Sequence, residues 1–549
     1  MLTENRVESS SPTNAAAEIA YTPDPQVREE VKKRRTFAII SHPDAGKTTL
    51  TEKLLLYSGA VNVAGSVRAR KNQRAVTSDW MAMERERGIS ITSTVLNIDY
   101  RGYKINLLDT PGHQDFSEDT YRTLTAADAA VMVIDAAKGI EAQTEKLFKV
   151  CALRKIPILT FINKMDRPGG EPLKLLSEIE QVLGIHAVPL NWPIGLGHEF
   201  RGVYDRRAKK AMVFESVAHG SQVVPTKSAS LEDAQKEGLL DAESHARLKD
   251  EVELLDVAGA PFDHETFLRG EVTPVFYGSA LTNFGIEPFF DAFLELAPPP
   301  RARLSEHGPV PPDRGEFAGF IFKIQANMDP RHRDRIAFVR VCAGRFVREM
   351  IVTHARTGDT MRISRSHRLF AQNRESMDEA YPGDIIGLVN PGNYRLGDTL
   401  CEGKPINYQG LPQFSPEHFA ILSCNETLKR KQFTKGLEQL VEEGAIQLLE
   451  NPDALRKEPI LAAVGQLQFD VVQYRIESEY GAKTSIQRLP YKLARWVEGP
   501  KEELPNLILP TNAMRTLDRN GKTVALFGSQ WDLDYCVKQN PKLTFNVVS

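Results

Sequence analysis

Cysteine is scarce in this chain of 549 residues: Cys151, Cys342, Cys401, Cys424 and Cys536 lie far apart, in no Cys-x2-Cys pair and with no histidine at zinc spacing. That excludes a disulfide-stapled scaffold and a zinc ribbon, and leaves reduced, buried thiols. No stretch approaches the ~18 apolar residues of a bilayer span, and residues 1–30 lack the apolar core of a signal peptide, so a cytoplasmic location without a membrane partner is expected. An excess of one charge is missing too, since 69 Lys and Arg oppose 72 Asp and Glu for a net of −3. Wholesale coating of DNA or RNA is thereby excluded. Any RNA contact must come from local basic clusters, of which 32–35, 68–74, 331–335 and 429–431 are candidates.

The stretch Ser41-His42-Pro43-Asp44-Ala45-Gly46-Lys47-Thr48-Thr49 follows the apolar run 37–40 and opens a helix-favouring run. Strand, tight loop and helix in that order make a phosphate cradle. Gly46 lets amides turn toward an anion, the helix amino end adds its dipole, Lys47 supplies a point charge and Thr48 a hydroxyl for Mg2+. Ser41 stands where the usual P-loop has its first glycine.

Three further stretches end apolar runs. Asp109-Thr110-Pro111-Gly112-His113 offers a carboxylate for a metal-bound water and a glycine amide that can reach, and release, a terminal phosphate. Asn163-Lys164-Met165-Asp166 suits a base: the Asp166 carboxylate accepts both hydrogens of the N1 and N2 edge of guanine, which adenine does not present. Ser279-Ala280-Leu281 brings an amide, at Ala280, for guanine O6. Four such stretches in this order, each at the carboxyl end of a strand, define a GTP-binding fold.

The rhythm of apolar runs predicts strands at 37–40, 105–109, 130–135, 158–163 and 274–279, with helices at 47–57, 118–127, 141–154, 172–183 and 287–296. Residues 58–98 read as a charged loop over the nucleotide. The expected organisation is a disordered extension over 1–30 and an α/β P-loop GTPase domain, mostly parallel in its sheet, over 31–300 with an insertion at about 185–270. A linker at 301–315, an antiparallel β-barrel over 316–410 and an α+β C-terminal domain over 411–549 follow. Within the last, helices are expected at 431–450 and about 466–480.

These motifs resemble the translation-factor class of GTPases, with Arg87-Gly88-Ile89-Ser90 similar to its first switch and Asp109 to His113 similar to its second. Within the class, Ser41 to Thr49, Thr77-Ser-Asp-Trp80, Asp115-Phe-Ser-Glu-Asp-Thr-Tyr-Arg-Thr-Leu124, Tyr381-Pro-Gly-Asp384 and Asn393-Tyr-Arg-Leu-Gly-Asp398 resemble the bacterial class II peptide-chain release factors. The similarity spans nearly all of 32–549. Elongation factors usually carry Thr where Ser90 stands and Val where Pro43 stands, and the translocases carry two further domains. The resemblance implies GTP and GDP as ligands, Mg2+ on Thr48 and Ser90 with Asp109 behind it, Gly112 sensing the terminal phosphate, and His113 positioning the attacking water. It implies a monomer activated by the large ribosomal subunit, which removes a stop-codon-reading (class I) release factor after the peptide is freed. The Gly-Gly-Gln tripeptide of factors that cut the peptidyl bond is absent from the sequence. Two alternatives stay open: another ribosomal GTPase of translocase or protection type, and a metabolic enzyme that consumes GTP.

Overall fold

Helix α1 (Pro25–Lys32) comes first in the computed structural model, which describes residues 21–59, 93–215, 225–326, 335–370, 373–390, 392–411, 415–454 and 458–547. Asp24 caps it by accepting from the amides of Gln26 and Val27, and Pro25 takes the position where no amide is needed. Disorder expected over 1–30 is therefore corrected at 25–30. Val27 and Val31 bury against Tyr381, Gln26 donates to the Tyr381 hydroxyl across 355 residues, and Arg28 pairs with Asp313. The partner that makes the segment helical lies in another domain, beyond the reach of local pattern.

Strand β1 (Arg34–Ser41) runs into α2 (Lys47–Tyr57). Then come β2 (Thr94–Tyr100), β3 (Tyr103–Asp109), α3 (Ser117–Leu124), β4 (Ala129–Asp135), α4 (Ala142–Leu153), β5 (Ile158–Asn163), α5 (Pro172–Leu183) and β6 (His186–Pro189). Strands β7 (Asn191–Ile194), β8 (Gly202–Asp205), β9 (Lys210–Phe214) and β10 (Thr226–Ser230) precede α6 (Leu231–Lys236), α7 (Ala242–Ala258) and α8 (His264–Leu268). The domain closes with β11 (Val272–Tyr277) and α9 (Ile286–Leu296). Seven strands form one sheet in the order β2-β3-β1-β4-β5-β11-β6, parallel except for β2. The central strands β1, β4 and β5 are buried along their whole length, as continuous apolar runs covered on both faces must be.

Two expectations change here. Residues 94–98, expected in a loop, belong to the antiparallel edge strand β2, and 60–92 lie outside the described residues. The insertion starts later than 185, because β6 completes the main sheet beside β11. Only β7 to β10 form the separate four-stranded sheet. Both segments are short and half polar, and pairing with a distant strand decides their state.

The stretch 301–315 is not a bare linker: Arg303–Ser305 and Gly308–Val310 pair as a hairpin. An eight-stranded antiparallel sheet follows, centred on the pair Ala318–Ala326 and Arg335–Ala343, and curls around Phe317, Ile321, Ile324, Val339 and Leu388. This second domain grips the first through the turn Tyr381-Pro-Gly-Asp384. The Gly383 carbonyl accepts from Thr36 (2.7 Å), Asn106 (2.9 Å) and Arg340 (2.8 Å), and Asp384 pairs with Arg34.

In the C-terminal domain a four-stranded sheet carries α10 (Arg430–Glu442) and α11 (Leu467–Tyr480). The helix expected over 431–450 ends at Glu442. Gly444 then takes φ 74°, and Gln447–Leu449 pairs as a strand with Ile460–Ala463. A second four-stranded sheet bears α12 (Gln530–Gln539) and joins the first through Phe419, Leu449, Ile460, Trp496 and Leu526.

Candidate functional site

Between β1 and α2 the chain turns through two left-handed residues, Asp44 (φ 66°) and Gly46 (φ 99°). Gly46 is required twice over, because a Cβ there would also lie 2.2 Å from Asn163 Nδ2. No side chain caps α2, so its first-turn amides and positive dipole end open on the loop. Lys47 Nζ stands 2.5 Å from Asp109 Oδ1, both residues buried, while Asp109 Oδ2 is buried without a hydrogen-bond partner. Thr48 is half-buried beside Lys47. A buried carboxylate oxygen left without a hydrogen-bond partner is chemistry that suits a hydrated Mg2+. Among the described residues no cluster of His, Cys, Asp and Glu forms an all-protein metal cage.

The rest of the loop divides by exposure. Pro43 and Asp44 are exposed, Ala45 is buried and Thr49 half-buried. The Ser41 hydroxyl is buried and unpartnered. His42 is 1% exposed with its Nε2 3.2 Å from Glu141 Oε2, and burial lowers its pKa, so its ring is neutral and sits beneath the loop.

At the neighbouring strand ends Asn163 joins three loops. Its Nδ2 donates to the Ala45 carbonyl (2.8 Å) and its Oδ1 accepts from the Ala280 amide (2.9 Å). The amide of Ala280, expected to face guanine O6, is thus spent on Asn163, which is buried between the two loops and needs that donor. Lys164, at φ 67°, reaches Asp135 Oδ2 at 2.7 Å. Sequence pattern does not single out Asp135, although it ends β4 in register with Asn163. Burial pushes its carboxyl up, but Lys164 and the Ala137 amide outweigh that and hold it below the usual range. Met165 is buried; Asp166 is partly open, with Oδ1 buried and unpartnered. The Ser279 hydroxyl accepts from the Thr282 amide, and Leu281 is exposed.

After β3 the chain passes Thr110, whose hydroxyl donates to the Ile39 carbonyl, then buried Pro111 and Gly112, which packs against Pro43. His113 is half-buried, and its Nδ1 accepts from the Asp115 amide at 3.4 Å. The following residues each meet another domain. Asp115 Oδ2 accepts from the Leu467 amide (2.7 Å), Gln447 donates to Glu118, and Arg122 donates to the Gly444 carbonyl (3.0 Å). Gly465 packs so closely that a Cβ would lie 2.3 Å from Asp115 Cα. Gly465→Ala is therefore expected to lose about 1–3 kcal/mol of stability in urea unfolding. An unchanged midpoint would contradict that contact. The four residues expected in the first switch, Arg87, Gly88, Ile89 and Ser90, lie outside the described residues.

A mostly parallel sheet that matches the elongation factor Tu GTP binding domain, followed by an antiparallel domain, defines a GTP-binding translation factor, a GTPase. The chain matches the elongation factor Tu GTP binding domain over residues 32–299, elongation factor G domain 2 over 316–403, and the C-terminal domain of class II release factor RF3 over 408–537. It is 55% identical to peptide chain release factor 3 of Gloeobacter violaceus, over 96% of this chain and 99% of the relative. With the proteins of the same name from Acaryochloris marina and Trichodesmium erythraeum it shares 55% and 56% identity. Those matches cover 95% of this chain in each case, and 97% and 96% of the relatives. The chain belongs to the peptide chain release factor 3 family. A crystal structure from Thermus thermophilus shares the fold at a TM-score of 0.67, with 22% identity, 86% of this chain and 71% of that one covered. No helix among the described residues is long and apolar enough to cross a membrane.

Proposed function

We propose that this GTPase acts on the ribosome at termination, where it releases a class I release factor after the peptide has left, and then releases itself. The observation that carries the reading is helix α3. It begins four residues after His113 and is bonded to the C-terminal domain through Glu118 and Arg122, so a change at the second switch moves the surface that meets a partner.

The loop 41–49 holds the β and γ phosphates, with Lys47 as the point charge. Asp166 reads the base edge, Lys164 lies along its plane, and the Ser279-Ala280-Leu281 loop closes over it. Mg2+, when bound, neutralises charge between the phosphates, and Thr48 and Ser90 would hold it with Asp109 behind. Gly112 offers its amide to the γ phosphate. Nδ1 of His113 faces Asp115, which leaves Nε2 as the ring nitrogen available to water. His113 orients the attacking water and steadies developing charge. Among the described residues the ring makes no bond or ring contact beyond Asp115 and Phe116, so activation waits for a partner, the ribosome.

The test is turnover: with limiting class I factor on terminated ribosomes, this protein and GTP are expected to convert one round of release into many. Unchanged turnover would overturn the reading.

A further inference from the structure

We infer that Lys323, in the second domain, is a positioning residue for hydrolysis that holds Ser93, at the entry to β2, against α3, the helix that follows His113. The inference rests on the ribosome-stimulated reaction proposed above.

Lys323 lies on Ala318–Ala326, a strand buried along its whole length, and is itself 4% exposed. Strict alternation from Ile321, a core residue of the barrel, would turn Lys323 into that core. The register shifts between Ile321 and Lys323, and Ile324 takes the core position instead. Such a bulge reverses the faces of the strand beyond it. Lys323 is thereby turned outward to the GTPase domain.

There its ammonium donates to the Ser93 carbonyl and stands 3.8 Å from Asp119 Oδ2. Asp119 Oδ2 also accepts from the Ser93 amide (2.7 Å) and from the Ser93 hydroxyl, which lies 2.8 Å from Thr123 Oγ1. Burial pushes the Asp119 carboxyl up, but Lys323, Arg122 and the Ser93 donors hold it below its ordinary range. Ser93 comes three residues after Ser90 in the sequence, and Asp119 six after His113. Ser93 thus bonds Asp119 directly, and one buried ammonium from the second domain meets both partners of that contact. Burying this charge is expensive, and removing Lys323 alone leaves Asp119 with only Arg122 and the Ser93 donors to compensate it. The use of the charge is geometric: it holds Ser93, at the entry to β2, against Asp119 on α3, the helix that follows His113.

The experiment compares Lys323→Met and Lys323→Arg with the unaltered chain in GTP hydrolysis titrated with ribosomes. Thermal melting is recorded alongside, with amide hydrogen exchange over 94–100 in the ribosome-free protein bound to a non-hydrolysable GTP analogue. Lys323→Met is expected to lower the stimulated kcat about tenfold with the half-saturating ribosome concentration unchanged. It is also expected to speed exchange over 94–100 and to lower Tm, because Asp119 loses a charged partner and the Ser93 carbonyl its donor. Lys323→Arg, which keeps the donor and the charge, is expected to restore most of the kcat and the slow exchange. A Lys323→Met kcat within about twofold of the unaltered chain, or a loss of kcat that Lys323→Arg does not rescue, overturns the inference. If the unaltered chain shows no stimulation by ribosomes, the functional reading fails, and the exchange comparison alone decides Lys323.

Discussion

Asp166→Asn is expected to exchange the nucleotide preference from guanine to xanthine. The carboxylate would accept from guanine N1–H and the N2 amino group, two charge-assisted bonds worth about 1.5–3 kcal/mol each. An Asn there sets an N–H against an N–H of guanine, whereas xanthine offers a carbonyl at the same place. GTP affinity is expected to fall roughly 100- to 10,000-fold, with xanthosine triphosphate binding recovered. Because Asp166 Oδ1 has no partner inside the protein, the substitution removes no internal bond at that atom, and the fold is expected to survive. Competition against a fluorescent GTP analogue reads the result; unchanged GTP affinity would remove Asp166 from the base site.

His113→Ala separates binding from turnover. The imidazole stands outside the phosphate loop and makes no bond to it among the described residues, so GTP and GDP affinities are expected to stay within about twofold. Ribosome-stimulated hydrolysis is expected to fall roughly 100- to 10,000-fold, the range of a positioned acid–base or water-orienting group. His113→Gln, which keeps a donor without a titratable ring, distinguishes the two roles. If the group only donates from Nε2, the Gln variant is expected to retain part of the rate; a variant as dead as Ala would point to proton transfer.

The elements that carry the loops proposed for phosphate and base are legible in the sequence because each is local. Lys47–Tyr57, Ile158–Asn163 and Pro172–Leu183 form where the apolar spacing puts them, and the polar residues that follow the strands sit at the strand ends. The joints between domains are not legible. Lys323 reads as an ordinary alternating strand residue until the register shift reverses its face, and nothing in its neighbours signals the shift. The strand at Gln447–Leu449 looks like the end of a helix because Leu448 and Leu449 continue the helical stripe; Gly444 and pairing with Ile460–Ala463 decide otherwise. Asp135 escapes notice for a different reason: its partner Lys164 is 29 residues on, and only the parallel register sets them side by side.

Helix α1 bears on how the chain is made. Its apolar residues Val27 and Val31 close on Tyr381, so the amino-terminal strap leaves the ribosome long before its seat exists. With Tyr381 coming 355 residues after Gln26 and synthesis at roughly 5–20 residues per second, the strap waits about 20–70 s. Through that interval the GTPase domain must hold itself together without that contact.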